Sequence, residues 1–166
     1  MLRSRVLTAA ILLALFLSAL FALPVSGWAA LVILMVLQGA SEWARLASLT
    51  GTKAKLFWVS ALLMMLGLVW FDATHPSGQQ QLPHLLVYAV SALLWLIIVP
   101  TWLITGWKVR QPQLMMLTGW AVLIPTGLAM LDLRVISPWL LLFVMGLVWV
   151  ADISAYFAGK RFGKNK

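Results

Sequence analysis

Runs of roughly 18 or more mostly apolar residues recur from one end of this chain to the other, each closed by charge, proline or glycine. A helix rises about 1.5 Å per residue, so such runs reach across the hydrocarbon of a bilayer. With 63% hydrophobic and 10% charged residues, a 166-residue chain lacks the polar surface a soluble domain needs. The pattern predicts an all-α polytopic membrane protein, with residues 1–166 forming one transmembrane domain and no fixed-period repeat. The chain has no cysteine, which excludes a disulfide framework and a thiolate metal site. The net charge of +8 does not imply nucleic acid, because the charges sit at the ends of apolar segments, where membrane topology accounts for them.

Six spans are predicted, at about 6–23, 25–40, 56–71, 84–107, 113–131 and 139–159. Arg3 and Arg5 precede the first, which Pro24 and Gly27 punctuate. A cleaved signal peptide is the alternative there, but the run exceeds a usual signal core and another apolar segment follows at once. The near absence of a loop after it predicts a tight antiparallel helical hairpin. The second span turns polar at Gln38, Gly39, Ser41, Glu42 and Arg45 and leads into the loop ARLASLTGTKAK, which carries Arg45, Lys53 and Lys55. Trp58 and Trp70 flank the short third span and suit the two interfacial belts. Residues 72–83, DATHPSGQQQLP, should break the helix. Pro100 with Thr101 predicts a kink in the fourth span, and Pro125, Thr126 and Gly127 interrupt the fifth. Asp132, Arg134 and Pro138 separate the fifth span from the sixth.

Lys and Arg accumulate on the cytoplasmic side of short loops. With both termini cytoplasmic, Arg3, Arg5, Arg45, Lys53, Lys55, Lys108, Arg110, Lys160, Arg161, Lys164 and Lys166 all fall inside, and only Arg134 falls outside. The same orientation places Asp72 and Asp132 outside, and Glu42 and Asp152 near the cytoplasmic ends of spans two and six.

Asp152 is the more informative acid. A charged Asp at mid-membrane costs roughly 2.5–3.5 kcal/mol, so such a residue usually faces protein or a water-filled cavity. Trp149, Asp152, Tyr156 and Lys160 follow one another at helical spacing and line one face. An acid, a phenol and an ammonium then mark a path from membrane to cytoplasm. The alternative is an interfacial helix end, with Asp152 paired to a lysine and the aromatics in the belt. Gly159, Lys160, Arg161, Phe162, Gly163 and Lys164 suit phosphate groups or anionic lipid heads, and a plain topology signal fits them as well. Glu42 and Arg45 have the spacing of a surface ion pair. His75 and His84 are poor metal candidates without clustered carboxylates, and the eight methionines read as packing.

Residues 151–166, ADISAYFAGKRFGKNK, resemble the central segment of bacterial phosphatidate cytidylyltransferases, the CDP-diglyceride synthases. That family shows Ala-Asp-Ser/Thr-Gly-Ala-Tyr and then Phe-Gly-Lys. Asp152, Ala155, Tyr156, Gly159, Phe162, Gly163 and Lys164 match it, while Ile153 and Ser154 depart from it. LRSRVLTAAIL and GASEWARLASLTG resemble the family's opening and its Glu-Trp segment.

The resemblance implies a multi-pass enzyme of the bacterial cytoplasmic (inner) membrane that works in phospholipid synthesis. In its reaction the phosphate of phosphatidic acid attacks the α-phosphorus of CTP, giving CDP-diacylglycerol and pyrophosphate. Mg²⁺ is the implied cofactor. The implied partners are CTP, phosphatidic acid and membrane lipids, with a homo-oligomer left open. Asp152 would serve the catalytic or metal environment, Lys160, Arg161 and Lys164 would contact phosphate, and Tyr156 would shape the cavity wall. The family continues into a Ser-Pro-x-Lys-Thr segment, further helices and an acidic, glycine-rich signature. This chain is therefore expected to correspond to the amino-terminal portion and to be inactive alone. A non-enzymatic membrane protein, either a small transporter or an assembly subunit, is the competing reading, supported by the proline-interrupted spans.

Overall fold

The structure is a computed structural model that describes residues 2–75, 81–106 and 111–163. Among the described residues all regular structure is helical: α1 Leu2–Ala22, α2 Val25–Leu46, α3 Gly51–Thr74, α4 Gln81–Leu93, a π-helical turn Leu94–Ile98, α5 Val99–Thr105, α6 Pro112–Ile136 and α7 Pro138–Phe162. The all-α polytopic expectation holds. Five stretches are long and apolar enough to cross a bilayer, namely α2, α3, Leu82–Thr105, α6 and α7. The apolar part of α1, Val6–Ala22, is shorter and sits at the lower limit of about 17 residues for a span. Residues 76–80 of the expected break, Trp107 at the end of the fourth expected span, and Lys108, Arg110, Lys164 and Lys166 lie outside the described residues.

Several helices outrun their expected boundaries. Arg3 and Arg5 already belong to α1, and α2 continues to Leu46. Lys53 and Lys55, expected in a loop, stand in the first turns of α3, which in turn runs on through Asp72 to Thr74. Asp132 and Arg134, expected as a separator, are helical in α6, and only Ser137 parts α6 from α7. The cause is common to all of them. Polar side chains do not end a helix; the backbone must turn, and it turns here only where a cap or proline forces it.

The end of α2 shows such a cap. Ser48 has φ +53°, in the left-handed region. Its N–H donates to the Arg45 carbonyl at 3.1 Å, and that of Leu49 donates to the Ala44 carbonyl at 2.8 Å. This paired arrangement is a Schellman motif, completed by burial of both Leu49 and Ala44. Serine occupies the position that glycine usually fills.

Proline acts differently in the two spans it was expected to disturb. Pro100 has no N–H to give the Leu96 carbonyl, and its ring crowds that oxygen. The wider π-helical turn Leu94–Ile98 lies immediately before it, and the Val99 N–H reaches back to Leu94. The Thr101 hydroxyl donates to the Ile97 carbonyl at 2.7 Å. By contrast, α6 runs unbroken through Pro125, Thr126 and Gly127, correcting the expected interruption. Pro125 and its neighbours Ile124, Gly127 and Leu128 are buried against the surrounding helices, a setting in which a proline within a helix is tolerated.

The chain divides into two compact units, Leu23–Leu131 and a second one made of Met1–Ala22 with Asp132–Lys166. The core of the first is a three-helix contact of α2, α3 and α6. A Cβ on Gly119 would lie 2.6 Å from Phe57 and Trp43 atoms, and one on Gly127 would lie 2.6 Å from Val36 and 2.9 Å from Met65. Phe57 and Met65 ascend α3 as Gly119 and Gly127 ascend α6, so those two helices are parallel. Trp43 and Val36 run the other way, so α2 is antiparallel to both. Two indoles fasten the contact: Trp43 Nε1 donates to the Met115 carbonyl at 2.8 Å, and Trp28 Nε1 to the Met130 carbonyl at 3.2 Å. At the far end of α3, His84 of α4 is hydrogen-bonded to Asp72 at 2.8 Å, fixing where the next helix starts.

In the second unit, Arg134 Nε donates to the Leu20 carbonyl at 2.9 Å. Leu20 lies in the last turn of α1, whose carbonyls have no helical donors, so the guanidinium caps them. Beside this cap, Phe21 and Trp139 meet with ring centroids 4.7 Å apart, and Leu20 and Leu141 are buried.

Two substitutions check this account by thermal unfolding in detergent. Gly127→Ala should destabilise the chain by about 1–3 kcal/mol, because Val36 and Met65 cannot both retreat. Gly67→Ala, with nothing within 4 Å of the added carbon, should not. Ser48→Gly should raise the midpoint, relieving about 1 kcal/mol of left-handed strain less the entropy glycine gains when unfolded.

Candidate functional site

Two places gather polar side chains on otherwise apolar helices. One is the end of α7 that the sequence singles out; the other is a cleft between α2 and α3.

On α7 a single unbroken helix carries Trp149, Asp152, Tyr156 and Lys160 along one face, as their spacing predicts. The helix has 25 residues and is about 38 Å long, longer than the roughly 30 Å hydrocarbon core. The excess is about 8 Å, or about one and a half turns, and Asp152 lies about 21 Å along the helix from Pro138. Asp152, Tyr156, Lys160 and Arg161 are all exposed. Asp152 forms no hydrogen bond or ion pair among the described residues. The lysine partner that an interfacial helix end would supply is thus not seen there. Nor do the described residues build a wall around Asp152, and Tyr156 is 65% exposed rather than set in a cavity. Tyr156 meets Phe157 edge-on with centroids 5.5 Å apart, and the Arg161 guanidinium lies 5.6 Å from the Phe162 ring centre. The Gly163 N–H returns to the Gly159 carbonyl at 2.9 Å and closes the helix. Lys164 lies outside the described residues.

The α2–α3 cleft has a volume of about 690 Å³ and is lined by Gln38, Ser41, Glu42, Arg45, Lys55 and Trp58 together with apolar residues that include Ala40, Leu49 and Val59. Its shape comes from the capped turn: Leu49, pinned by the Schellman bond to Ala44, separates the two helices at their joined ends. The expected Glu42–Arg45 pair is formed. Glu42 uses its two oxygens on different partners, Oε2 toward Arg45 and Oε1 accepting from Gln38 Nε2 at 3.1 Å. Gln38, Glu42 and Arg45 thus form one hydrogen-bonded row along a face of α2. The residue types were visible in the sequence, but the placing of Arg45 and Lys55 on one cleft was not, because both were assigned to a loop of unknown path.

His84 is paired with Asp72 and half-buried, and His75 stacks on Phe71 with ring centroids 3.9 Å apart.

The model of the cytidylyltransferase family matches residues 3–166. A phosphatidate cytidylyltransferase of Pseudomonas aeruginosa is 32% identical over 168 residues, which cover 100% of this chain and 60% of that protein. A phosphatidate cytidylyltransferase of Haemophilus influenzae is 35% identical over 185 residues, covering 100% of this chain and 63% of that protein. The chain spans about three-fifths of the length of these curated relatives. No solved structure matches it.

Proposed function

The chain belongs to the cytidylyltransferase family, and from that membership we propose that it serves the transfer of a cytidylyl group from CTP to phosphatidate. A phosphate oxygen of phosphatidate attacks the α-phosphorus of CTP, a new P–O bond forms, the bond to the β-phosphate oxygen breaks, and pyrophosphate leaves with its electron pair. The observation that carries the reading is the face of α7, where a carboxylate with no partner among the described residues is followed at helical spacing by a phenol and then by cations.

Catalysis of this kind needs positioning and charge neutralisation more than covalent help from the protein. Lys160 and Arg161, in the last turn of α7, are placed to hold phosphate oxygens, the guanidinium by paired N–H donors and the ammonium as a point charge. Lys164 continues the same basic sequence. Tyr156 lies one turn from Asp152 and offers a hydroxyl beside the phosphates. Asp152 fits the part of one carboxylate ligand for Mg²⁺, an ion that takes one or two carboxylates together with substrate phosphates. Among the described residues no group of three or more potential ligands includes it. When bound, Mg²⁺ would neutralise the triphosphate charge that builds up as pyrophosphate departs.

The distribution of Lys and Arg supports placing both termini in the cytoplasm, where CTP is available, and the protein in the inner membrane. The parallel and antiparallel relations of α2, α3 and α6 agree with the alternation that this orientation needs.

Membranes from cells expressing the gene that encodes this chain should convert phosphatidate to CDP-diacylglycerol in a CTP- and Mg²⁺-dependent manner. Asp152→Asn should lower that rate about 10²-fold or more at unchanged protein level. Full activity in the variant would remove Asp152 from the reaction.

A further inference from the structure

We propose that the α2–α3 cleft is a binding site for the phosphate headgroup of an anionic membrane phospholipid, held by Arg45 and Lys55. The site is separate from the α7 face and needs neither CTP nor turnover.

Four observations carry this. First, the cleft is roomy, at about 690 Å³, and two cations from different helices line it. Second, the two cations differ in state. Glu42 engages Arg45, but through one carboxylate oxygen, and a guanidinium has five N–H donors, so most of the fork is available. Lys55 has no ion-pair partner among the described residues. The row Gln38–Glu42–Arg45 thereby orients a planar donor while Lys55 adds an uncompensated charge, the combination that phosphate oxygens take up.

Third, the rest of the lining is apolar: Ala40, Ala44, Leu49, Ala54 and Val59 share the cleft with the charges, and the first three of them are buried. A phospholipid carries both a phosphate for the cations and glycerol and acyl carbons for that apolar surface. Fourth, Trp58 is 36% exposed at the cleft, and an indole suits the level where headgroups meet hydrocarbon. Charge and apolar surface thus stand side by side in one cleft, as they do in a phospholipid.

The test is equilibrium binding of labelled dioctanoyl phosphatidate to the full chain in neutral detergent, without CTP or Mg²⁺. Saturable binding is expected, weakened about tenfold or more by Lys55→Gln and by Arg45→Gln, and retained in Lys55→Arg. Lys53→Gln should bind as the parent does, since Lys53 does not line the cleft. Dioctanoyl phosphatidylglycerol competing as well as phosphatidate would make this a general anionic-lipid site, and phosphatidate alone competing would make it a site for the phosphomonoester. Both support the proposal. Dioctanoylglycerol competing equally would overturn it, because the phosphate would then contribute nothing. So would CTP displacing the lipid in an Arg45- and Lys55-dependent manner, which would assign the cations to the nucleotide. Equal losses in Lys53→Gln and Lys55→Gln would reduce the effect to diffuse surface charge and also overturn it. Lys55 is exposed, so its replacement leaves the helix packing intact, and an unchanged thermal midpoint verifies this. Loss of turnover in Asp152→Asn leaves the lipid binding untouched, so this site and the proposed reaction can fail independently.

Discussion

The close approach of α6 to α2 and α3 is the constraint from which the larger unit is built. Inside a bilayer, lipid tails are as apolar as leucine, so burying apolar surface gives helices little reason to associate. What remains is dispersion between closely fitted surfaces and the satisfaction of polar groups. Gly119 and Gly127 provide the first by removing side chains where Phe57, Trp43, Val36 and Met65 press in. Trp28 and Trp43 provide the second, each donating an indole N–H to an α6 carbonyl. Such bonds contribute only about 0.6 kcal/mol each in membranes. Their spacing matters more than their strength, because two bonds separated by the same interval on both helices define a register.

Once that register is set, the polar end of α2 has a definite neighbour. The turn through Ser48 folds α3 back along α2, and α6 braces both from behind through Trp43 and Phe57. The cleft lined by Glu42, Arg45 and Lys55 lies between these two helices near their shared turn. Its charged residues therefore stand on helices that are packed in the three-helix core.

The smaller unit is organised from one end. Arg134 caps α1, Phe21 meets Trp139, and Leu20 and Leu141 are buried, all near the start of α7. From Leu147 onward α7 is exposed along its length, and that half carries Asp152, Tyr156, Lys160 and Arg161. An ionisable side chain within a span is costly when exposed to lipid, and that cost is what supports the role proposed for Asp152.

Apolar run length and the charges between runs were enough to determine an all-helical membrane protein and roughly where its spans lie, because a bilayer permits few other answers to such a pattern. The face shared by Asp152, Tyr156 and Lys160 was also legible, since helical spacing is a local property. Helix ends were not: Lys53, Lys55, Asp132 and Arg134 read as loop residues because polarity was taken for a stop signal, whereas the Schellman turn at Ser48 was the real one. Nor could Pro125 be judged from its neighbours in sequence, since α6 continues through it where it is buried among other helices. The placing of Arg45 and Lys55 on one cleft, the pairing of His84 with Asp72, and that of two tryptophans with α6 carbonyls depended on which helices lie side by side. That is decided by long-range fit between surfaces, and only the tertiary structure contains it.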